Sequence, residues 1–214
     1  MTDRLVGWVT VICLLVGLAA GFLYAPRDAV QGNVQRIMYL HVPSSLTAYL
    51  AFGVVFLASL AYLFSGRSRW DGLAAASAEV GIIFTGLTLV SGSIWGKPTW
   101  GTWWTWDARI TTTSLLFLIY AGYLLVRQMA EDRERAARFS AVVGIVGAID
   151  IPIIHFSVEW FRTLHQPATV LRPQAPTMDA SMVLTLLVNV GAFMLFYVYL
   201  TRMRLRLIRL EETT

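Results

Sequence analysis

Six long apolar runs, separated by short charged or aromatic stretches, set the fold class of this chain before any motif is considered. They lie at Leu5–Tyr24, Val42–Phe64, Gly72–Ile94, Ile110–Gln128, Phe139–Ser157 and Ala180–Thr201. Each is close to the roughly 20 residues that a helix needs to cross a bilayer. Inside lipid a chain must satisfy its backbone polar groups within itself, so runs of this length read as helices. Composition agrees: 57% of the 214 residues are hydrophobic and only 14% are charged, with mean hydropathy +0.62. A soluble domain carries roughly 25% charged residues. The expectation is an all-α membrane protein of six transmembrane helices, a single domain over residues 1–214, with the lipid bilayer as its solvent.

The first run has the position of a signal peptide, and Ala19, Ala20 and Gly21 offer small residues for cleavage. Its apolar length exceeds the roughly 7–15 residues of a signal core, and Asp3 stands beside Arg4 ahead of it, so it reads as a retained helix. Arginine placement sets the orientation. With the N-terminus inside, eleven of the 17 basic residues fall on the cytoplasmic side: Arg4, Arg67, Arg69, Arg127, Arg133, Arg135, Arg138, Arg202, Arg204, Arg206 and Arg209. Six fall on the other: Arg27, Arg36, Lys97, Arg109, Arg162 and Arg172. The richer side marks the cytoplasm, which predicts both termini inside. The net charge of +4 is thus spent on topology and forms no soluble basic patch of the kind nucleic acid requires. The tail from Arg202 to Arg209 reads as an anchor snorkelling to anionic headgroups.

Three connections then face outward: Ala25–His41, Trp95–Arg109 and Val158–Asp179. The middle one is the chemical oddity. Five of the eight tryptophans fall in Trp95-Gly-Lys-Pro-Thr-Trp-Gly-Thr-Trp-Trp-Thr-Trp-Asp107. An interfacial aromatic belt would spread tryptophan over many helix ends; here one connection holds most of them. Pro98 suits the first turn of a helix, and Gly96 and Gly101 permit bends or close approach. A helix from Pro98 onward would set Trp100, Trp103, Trp104 and Asp107 on one face, a short amphipathic periplasmic segment between the third and fourth spans. Such a surface would serve a large planar aromatic ligand.

All three histidines, His41, His155 and His165, lie at or near that outer side. Two imidazoles from separate loops can supply both axial positions of a heme iron, although spacing alone does not bring them together. Cys13 is the only cysteine, which excludes a disulfide, a redox pair or a Cys-x-x-Cys-His attachment site within the chain. Pro43 is expected at the start of the second helix, with Ser44 and Ser45 satisfying backbone groups there. Arg162 and Arg172 would pair with heme propionates or, equally, with Glu159 and Asp179. Glu79 and Asp150 fall inside spans, where carboxylates are costly and often functional; they mark an ion path or simply face other helices.

Trp-Gly-x-Pro-x-Trp-Gly-Thr-Trp-Trp-x-Trp-Asp-Ala-Arg resembles the tryptophan-rich signature of the bacterial heme-handling membrane proteins of cytochrome c maturation. The Tyr-Leu-His-Val-Pro setting of His41 and the Glu-Trp-Phe-x-Thr-Leu-His-Gln segment around His165 narrow the resemblance to the heme exporter protein C family. That resemblance implies a heme platform at the periplasmic face of the inner membrane, built from Trp95, Gly96, Pro98, Trp100, Gly101, Trp103, Trp104, Trp106 and Asp107. It implies His41 and His165 as axial ligands to iron, and assigns His155 no ligand position. The cofactor implied is heme b, bound non-covalently and passed on.

The implied partners are a periplasmic heme chaperone (cytochrome c maturation protein E), the ATPase and permease subunits of an ABC transporter (cytochrome c maturation proteins A and B) and a small membrane subunit (cytochrome c maturation protein D). No Gly-x-x-x-x-Gly-Lys-Ser/Thr motif occurs here, so nucleotide work would belong to those partners. Related cytochrome lyases carry the same signature on longer chains, so the short chain favours the chaperone-loading member, a non-enzymatic delivery protein. Two other readings stay open: a channel moving heme through its own bundle, and a structural transporter subunit whose tryptophans contact protein.

Overall fold

The computed structural model describes residues 2–129, 132–166 and 178–211. Seven α-helices follow one another: α1 (Asp3–Ala19), α2 (Met38–Ser65), α3 (Ser68–Trp100), α4 (Ala108–Met129), α5 (Arg133–Ala148), α6 (Asp150–Trp160) and α7 (Ala180–Glu211). With α5 and α6 in line, they make six segments long and apolar enough to cross a membrane, as the apolar runs require. Among the described residues there is no strand.

The fifth span is one helix expected and two observed. Pro152 lacks the N–H that would bond to the carbonyl of Ala148, and its ring crowds that carbonyl. The chain therefore breaks at Ile149, whose N–H turns back to the Val146 carbonyl at 3.1 Å. The break leaves Asp150 in the first turn of α6, buried at 5% exposure.

Helix α2 sits at the centre, packed by α3, α5 and α7, while α1 lies against α7 and α4 against α3, α5 and α6. Phe52 of α2 stacks on Tyr120 of α4 with ring centroids 3.7 Å apart, and Val55, Phe84, Leu116, Ile154 and Phe193 complete the core around them. Small residues permit this closeness, as membrane interfaces commonly use them. A Cβ on Gly81 of α3 would stand 2.6 Å from the Phe52 ring. Two buried hydroxyl contacts tie helices together: Tyr197 and Ser77 meet at 2.8 Å, and Tyr120 donates to the Gly144 carbonyl at 2.9 Å.

The two ends of the bundle differ. At one, ion pairs tie helix to helix: Arg127 of α4 to Asp71 of α3 through two hydrogen bonds of 2.5 and 2.8 Å, Arg204 of α7 to Glu79 of α3 at 2.5 Å, and Arg202 of α7 to Asp3 of α1 at 2.8 Å. Arg206 also engages Asp3. The start of α1 and the end of α7 therefore share this end. Glu79, whose position left an ion path open, is an ion-pair partner here.

At the other end lie the tryptophan segment and the histidines. The approach to it is held by Arg36. After α1 the chain makes a π-helical turn, Ala20–Tyr24, which frees carbonyls. The Arg36 guanidinium donates to Gly21 O at 2.6 Å and Ala25 O at 3.2 Å, and also to Phe22 O. These are the acceptors a helix C-terminus leaves orphaned.

Candidate functional site

Helix α3 runs six residues past the apolar run that predicted it, through Trp95 to Trp100. Pro98 therefore lies in the last turn of α3 and opens no new helix. Gly101 ends the helix with φ 80°, a left-handed conformation that glycine adopts without steric cost, and its N–H closes on the Lys97 carbonyl at 3.0 Å. The Lys97 ammonium donates to the Gly101 carbonyl, also at 3.0 Å. Beyond it, Thr102 organises a turn: its hydroxyl donates to Trp104 O at 3.0 Å and accepts from Trp104 N at 3.4 Å. Residues 102–107 are not helical. The amphipathic helix with Trp100, Trp103, Trp104 and Asp107 on one face does not form, because the glycine expected to permit a bend is a helix stop.

The tryptophans are distributed instead. Trp95 and Trp100, both on α3, each present a ring to a histidine. The His41 and Trp95 rings meet edge to face at 5.7 Å and 75°, and those of His165 and Trp100 at 4.7 Å and 66°. Trp104 meets Trp106 at 5.4 Å, while Trp103 and Trp106 are 57% and 76% exposed. Gly96 packs directly on its neighbours, where a Cβ would come 3.2 Å from the Trp100 ring. Trp95 is pinned through its indole N–H, which donates to the Gln31 side-chain carbonyl at 2.8 Å. Gln31 in turn belongs to a tight loop whose Asp28 carboxylate accepts from the N–H groups of Val30 and Gln31 at 2.9 and 2.7 Å.

His41 lies in the first turns of α2, which begins at Met38, earlier than the hydropathy indicates. Pro43 is consequently a helix-interior residue. Ser44 and Ser45 donate to the carbonyls of Leu40 and His41 at 2.7 and 3.0 Å, and Ser45 also donates to the Thr88 hydroxyl at 3.3 Å. That contact sets the register of α2 on α3 and brings Ser91 to the His41 ring, Nδ1 to Oγ, at 3.1 Å. The Ser91 hydroxyl donates to Leu87 O at 2.5 Å, so its lone pair is what remains for the imidazole. Gly92 makes room for the ring: a Cβ there would lie 3.0 Å from His41 Cε1.

His165 is brought in from the segment after α6. A small turn closes on Thr163, whose hydroxyl accepts from His165 N at 3.0 Å. The His165 ring reaches Asp107, Nδ1 to Oδ2, at 3.0 Å, with only 15% and 8% of the two side chains exposed. The other carboxylate oxygen of Asp107 caps α4 by accepting from Ile110 N at 3.0 Å. Burial lowers the His165 imidazole below its ordinary range, although the Asp107 carboxylate works the other way. For Asp107, burial acts to raise the carboxyl, but the Ile110 N–H and His165 hold it below the usual carboxylate value. The pair is thus a neutral imidazole donating from Nδ1 to a carboxylate.

Both histidines have Nδ1 committed, and neither Nε2 has a hydrogen-bond partner among the described residues. That leaves the Nε2 lone pairs free, the state in which imidazole binds a transition metal. At this end of the bundle three polar atoms, Trp104 Nε1, Thr105 Oγ1 and Arg109 Nε, are buried without a hydrogen-bond partner among the described residues. His155 makes a different contribution: its backbone carbonyl accepts from Arg109 at 3.1 Å and its ring packs on Phe156. Arg172 lies outside the described residues. Ser91, Gln31 and Arg109 carry no sequence signal for these contacts, since serine in a helix and glutamine in a loop are common and Arg109 reads first as a topology charge.

Comparison with known proteins bears on the family of this chain. A model of the family described as heme exporter protein C matches residues 1–214. Heme exporter protein C of Bradyrhizobium diazoefficiens is 44% identical over 98% of this chain and 81% of its own length, and that of Escherichia coli K12 is 39% identical over 92% and 79%. A putative cytochrome c biosynthesis ccmC-like mitochondrial protein of Arabidopsis thaliana is 34% identical over 95% of this chain and 76% of its own. A match over the full length, together with relatives at this identity, places the chain in the heme exporter protein C family.

Proposed function

We propose that this protein holds heme b, non-covalently, between His41 and His165 at the periplasmic face of a bacterial inner membrane, and delivers it to a periplasmic heme chaperone for c-type cytochrome assembly. The observation that carries the reading is the matched state of the two histidines. Each has its Nδ1 anchored, its ring edge against a tryptophan of α3, and its Nε2 free. Supporting it, the partnerless donors of Trp104, Thr105 and Arg109 suit a ligand that brings acceptors such as the carboxylates of a tetrapyrrole. The exposed faces of Trp103 and Trp106 supply further aromatic surface at the same end.

In this reading the chain's residues orient and hold their cargo. His41 and His165 donate through Nε2 to iron; Ser91 and Asp107 fix their tautomers; Trp95 and Trp100 brace the rings. Gly96, Pro98 and Gly101 shape the end of α3 that carries them. The chaperone, cytochrome c maturation protein E, docks on the exposed tryptophans, while the ATPase and permease subunits and the small membrane subunit, cytochrome c maturation proteins A, B and D, assemble with the bundle and do the nucleotide-driven work.

Absorption spectroscopy after purification from heme-replete cells tests the reading. The expected result is a Soret band with low-spin bis-histidine features that is lost or converted to high spin in the His41→Ala/His165→Ala double variant. A missing band, or one identical in that variant, refutes it.

A further inference from the structure

The two histidines are alike in geometry and unlike in what holds them. Asp107 is a carboxylate, and its grip on His165 Nδ1 sits where both side chains are largely shielded from water. Its second oxygen is engaged by the start of α4, so it cannot swing away without uncapping that helix. Hydrogen bonds to an ionised acceptor are roughly twice as strong as neutral ones, and a shielded site strengthens them further. Such a carboxylate pulls on the Nδ1 proton and pushes electron density to Nε2, making the imidazole a better donor to metal. His41 has only neutral partners instead, the Ser91 hydroxyl and the Thr88 backbone. Ser91 gives its own proton to the Leu87 carbonyl and offers His41 only a lone pair.

We propose that the two iron ligands are unequal, with His165 the retained ligand, strengthened by Asp107, and His41 the ligand that yields when the cargo is handed on. The inference rests on the heme-site reading above. Asp107 and Ser91 are then positioning residues that set the order of ligand release from opposite sides. In the exchange, the iron bond to His41 Nε2 breaks as a donor atom of the acceptor takes that position. The lone pair returns to His41, no electron changes hands, and Ser91 keeps the Nδ1 proton where it was. The placement fits the fold. His41 lies on a helix locked to α3 through Ser45 and Thr88, so the imidazole cannot follow a departing ligand. His165 belongs to a short segment beyond α6 and is held by Thr163 and Asp107, both near its own backbone turn or the start of α4.

Carbon monoxide, which takes one axial position of ferrous heme and reports on the ligand opposite, separates the two histidines. The protein is purified with heme in detergent, reduced, exposed to carbon monoxide and examined by resonance Raman and infrared spectroscopy. The C–O and Fe–C stretching frequencies are expected to shift in Asp107→Asn and to stay at the wild-type position in Ser91→Ala. His41→Ala, bound to carbon monoxide, is expected to give the wild-type frequencies, since His165 is the opposite ligand in both. Heme retention through gel filtration gives an independent measure: His165→Ala is expected to lose heme at least about 10-fold more readily than His41→Ala, the scale on which outer partners tune metal affinity. A shift in Ser91→Ala with none in Asp107→Asn overturns the assignment, as does equal movement in both or equal retention by the two histidine variants. If the wild type resists carbon monoxide, the retention ratio decides. A wild type with no Soret band, or a band indifferent to the double histidine variant, instead refutes the heme site itself.

Discussion

Asp107 and His165, 58 residues apart, meet at 3.0 Å through Oδ2 and Nδ1, and the same carboxylate caps α4 through Oδ1. One side chain thus couples the start of a membrane helix to the orientation of a candidate iron ligand. The final residue of the tryptophan signature is not another surface for a flat ligand; it is the bracket that holds the histidine arriving from a distant segment.

The two duties of Asp107 can be separated by substitution. Asn caps a helix about as well as Asp and preserves the shape, so Asp107→Asn should leave thermal stability in detergent close to wild type. Ala removes the cap as well, at a cost of about 0.5–2 kcal/mol. Both variants should weaken heme binding by about 10- to 100-fold, the range for loss of a partner to a ligating histidine. Heme titration beside thermal melting checks this. Equal melting points for Asn and Ala would show that the cap contributes nothing.

Gly92 gives a test of the opposite kind, steric in place of electrostatic. Alanine is the better helix former by roughly 0.8–1 kcal/mol, so Gly92→Ala should not weaken α3 itself. Its Cβ would nevertheless stand 3.0 Å from His41 Cε1, and the imidazole must shift by a few tenths of an ångström. The expected outcome is an intact bundle with a weakened or high-spin heme spectrum. Unaltered spectra at full occupancy would show that the ring has slack.

Acidification should act through His165 before Asp107. Burial holds the His165 imidazole below its ordinary value of roughly 6.5, against the pull of Asp107. Protons therefore compete for its Nε2 only below that value. Asp107, with its folded value depressed, keeps its charge until the pH falls lower still. In both cases the unfolded chain binds the proton more readily, so the stability of the heme-free protein is full above the ordinary value of each group and falls with pH through the lowered one. Heme affinity is expected to be level from about pH 8 to about 6.5 and to decline below. Titration across this range checks the sign; half-loss already at neutral pH contradicts it.

Much of this arrangement was legible in the sequence. The apolar runs give six spans because lipid leaves the backbone few other solutions, and the density of tryptophan singles out one connection. The likeness to a heme-handling family implies His41 and His165 as a ligand pair, which stands here as a proposal. What escaped was local and tertiary. Hydropathy ends α3 at Ile94, because Gly96, Lys97 and Pro98 read as a loop, yet helical geometry continues until Gly101 takes a positive φ. Pro152 signals the α5–α6 break by the same chemistry that Pro43 and Pro98 defy within helices. Ser91 and Gln31 are unremarkable in one dimension; only the packing of α2 on α3, and of the Asp28 loop beside Trp95, gives them partners.

The far end of the bundle offers a prediction in which heme should play no part. Asp71 and Arg127 form a two-bond ion pair between α3 and α4, with side chains 9% and 20% exposed. The Arg127 guanidinium also lies over the Tyr123 ring at 5.8 Å. Removing one partner strands the other charge in a poorly hydrated place, which typically costs about 3–5 kcal/mol. Asp71→Ala should therefore lower the melting temperature sharply while whatever protein remains folded keeps the wild-type heme spectrum. Replacing both, as Asp71→Leu/Arg127→Met, removes the stranded charge and substitutes apolar volume, and such exchanges are often neutral or better. The double variant should recover most of the loss. If Asp71→Ala alters the spectrum of the folded fraction, the two ends of the bundle are coupled more tightly than their separate hydrogen-bond sets imply.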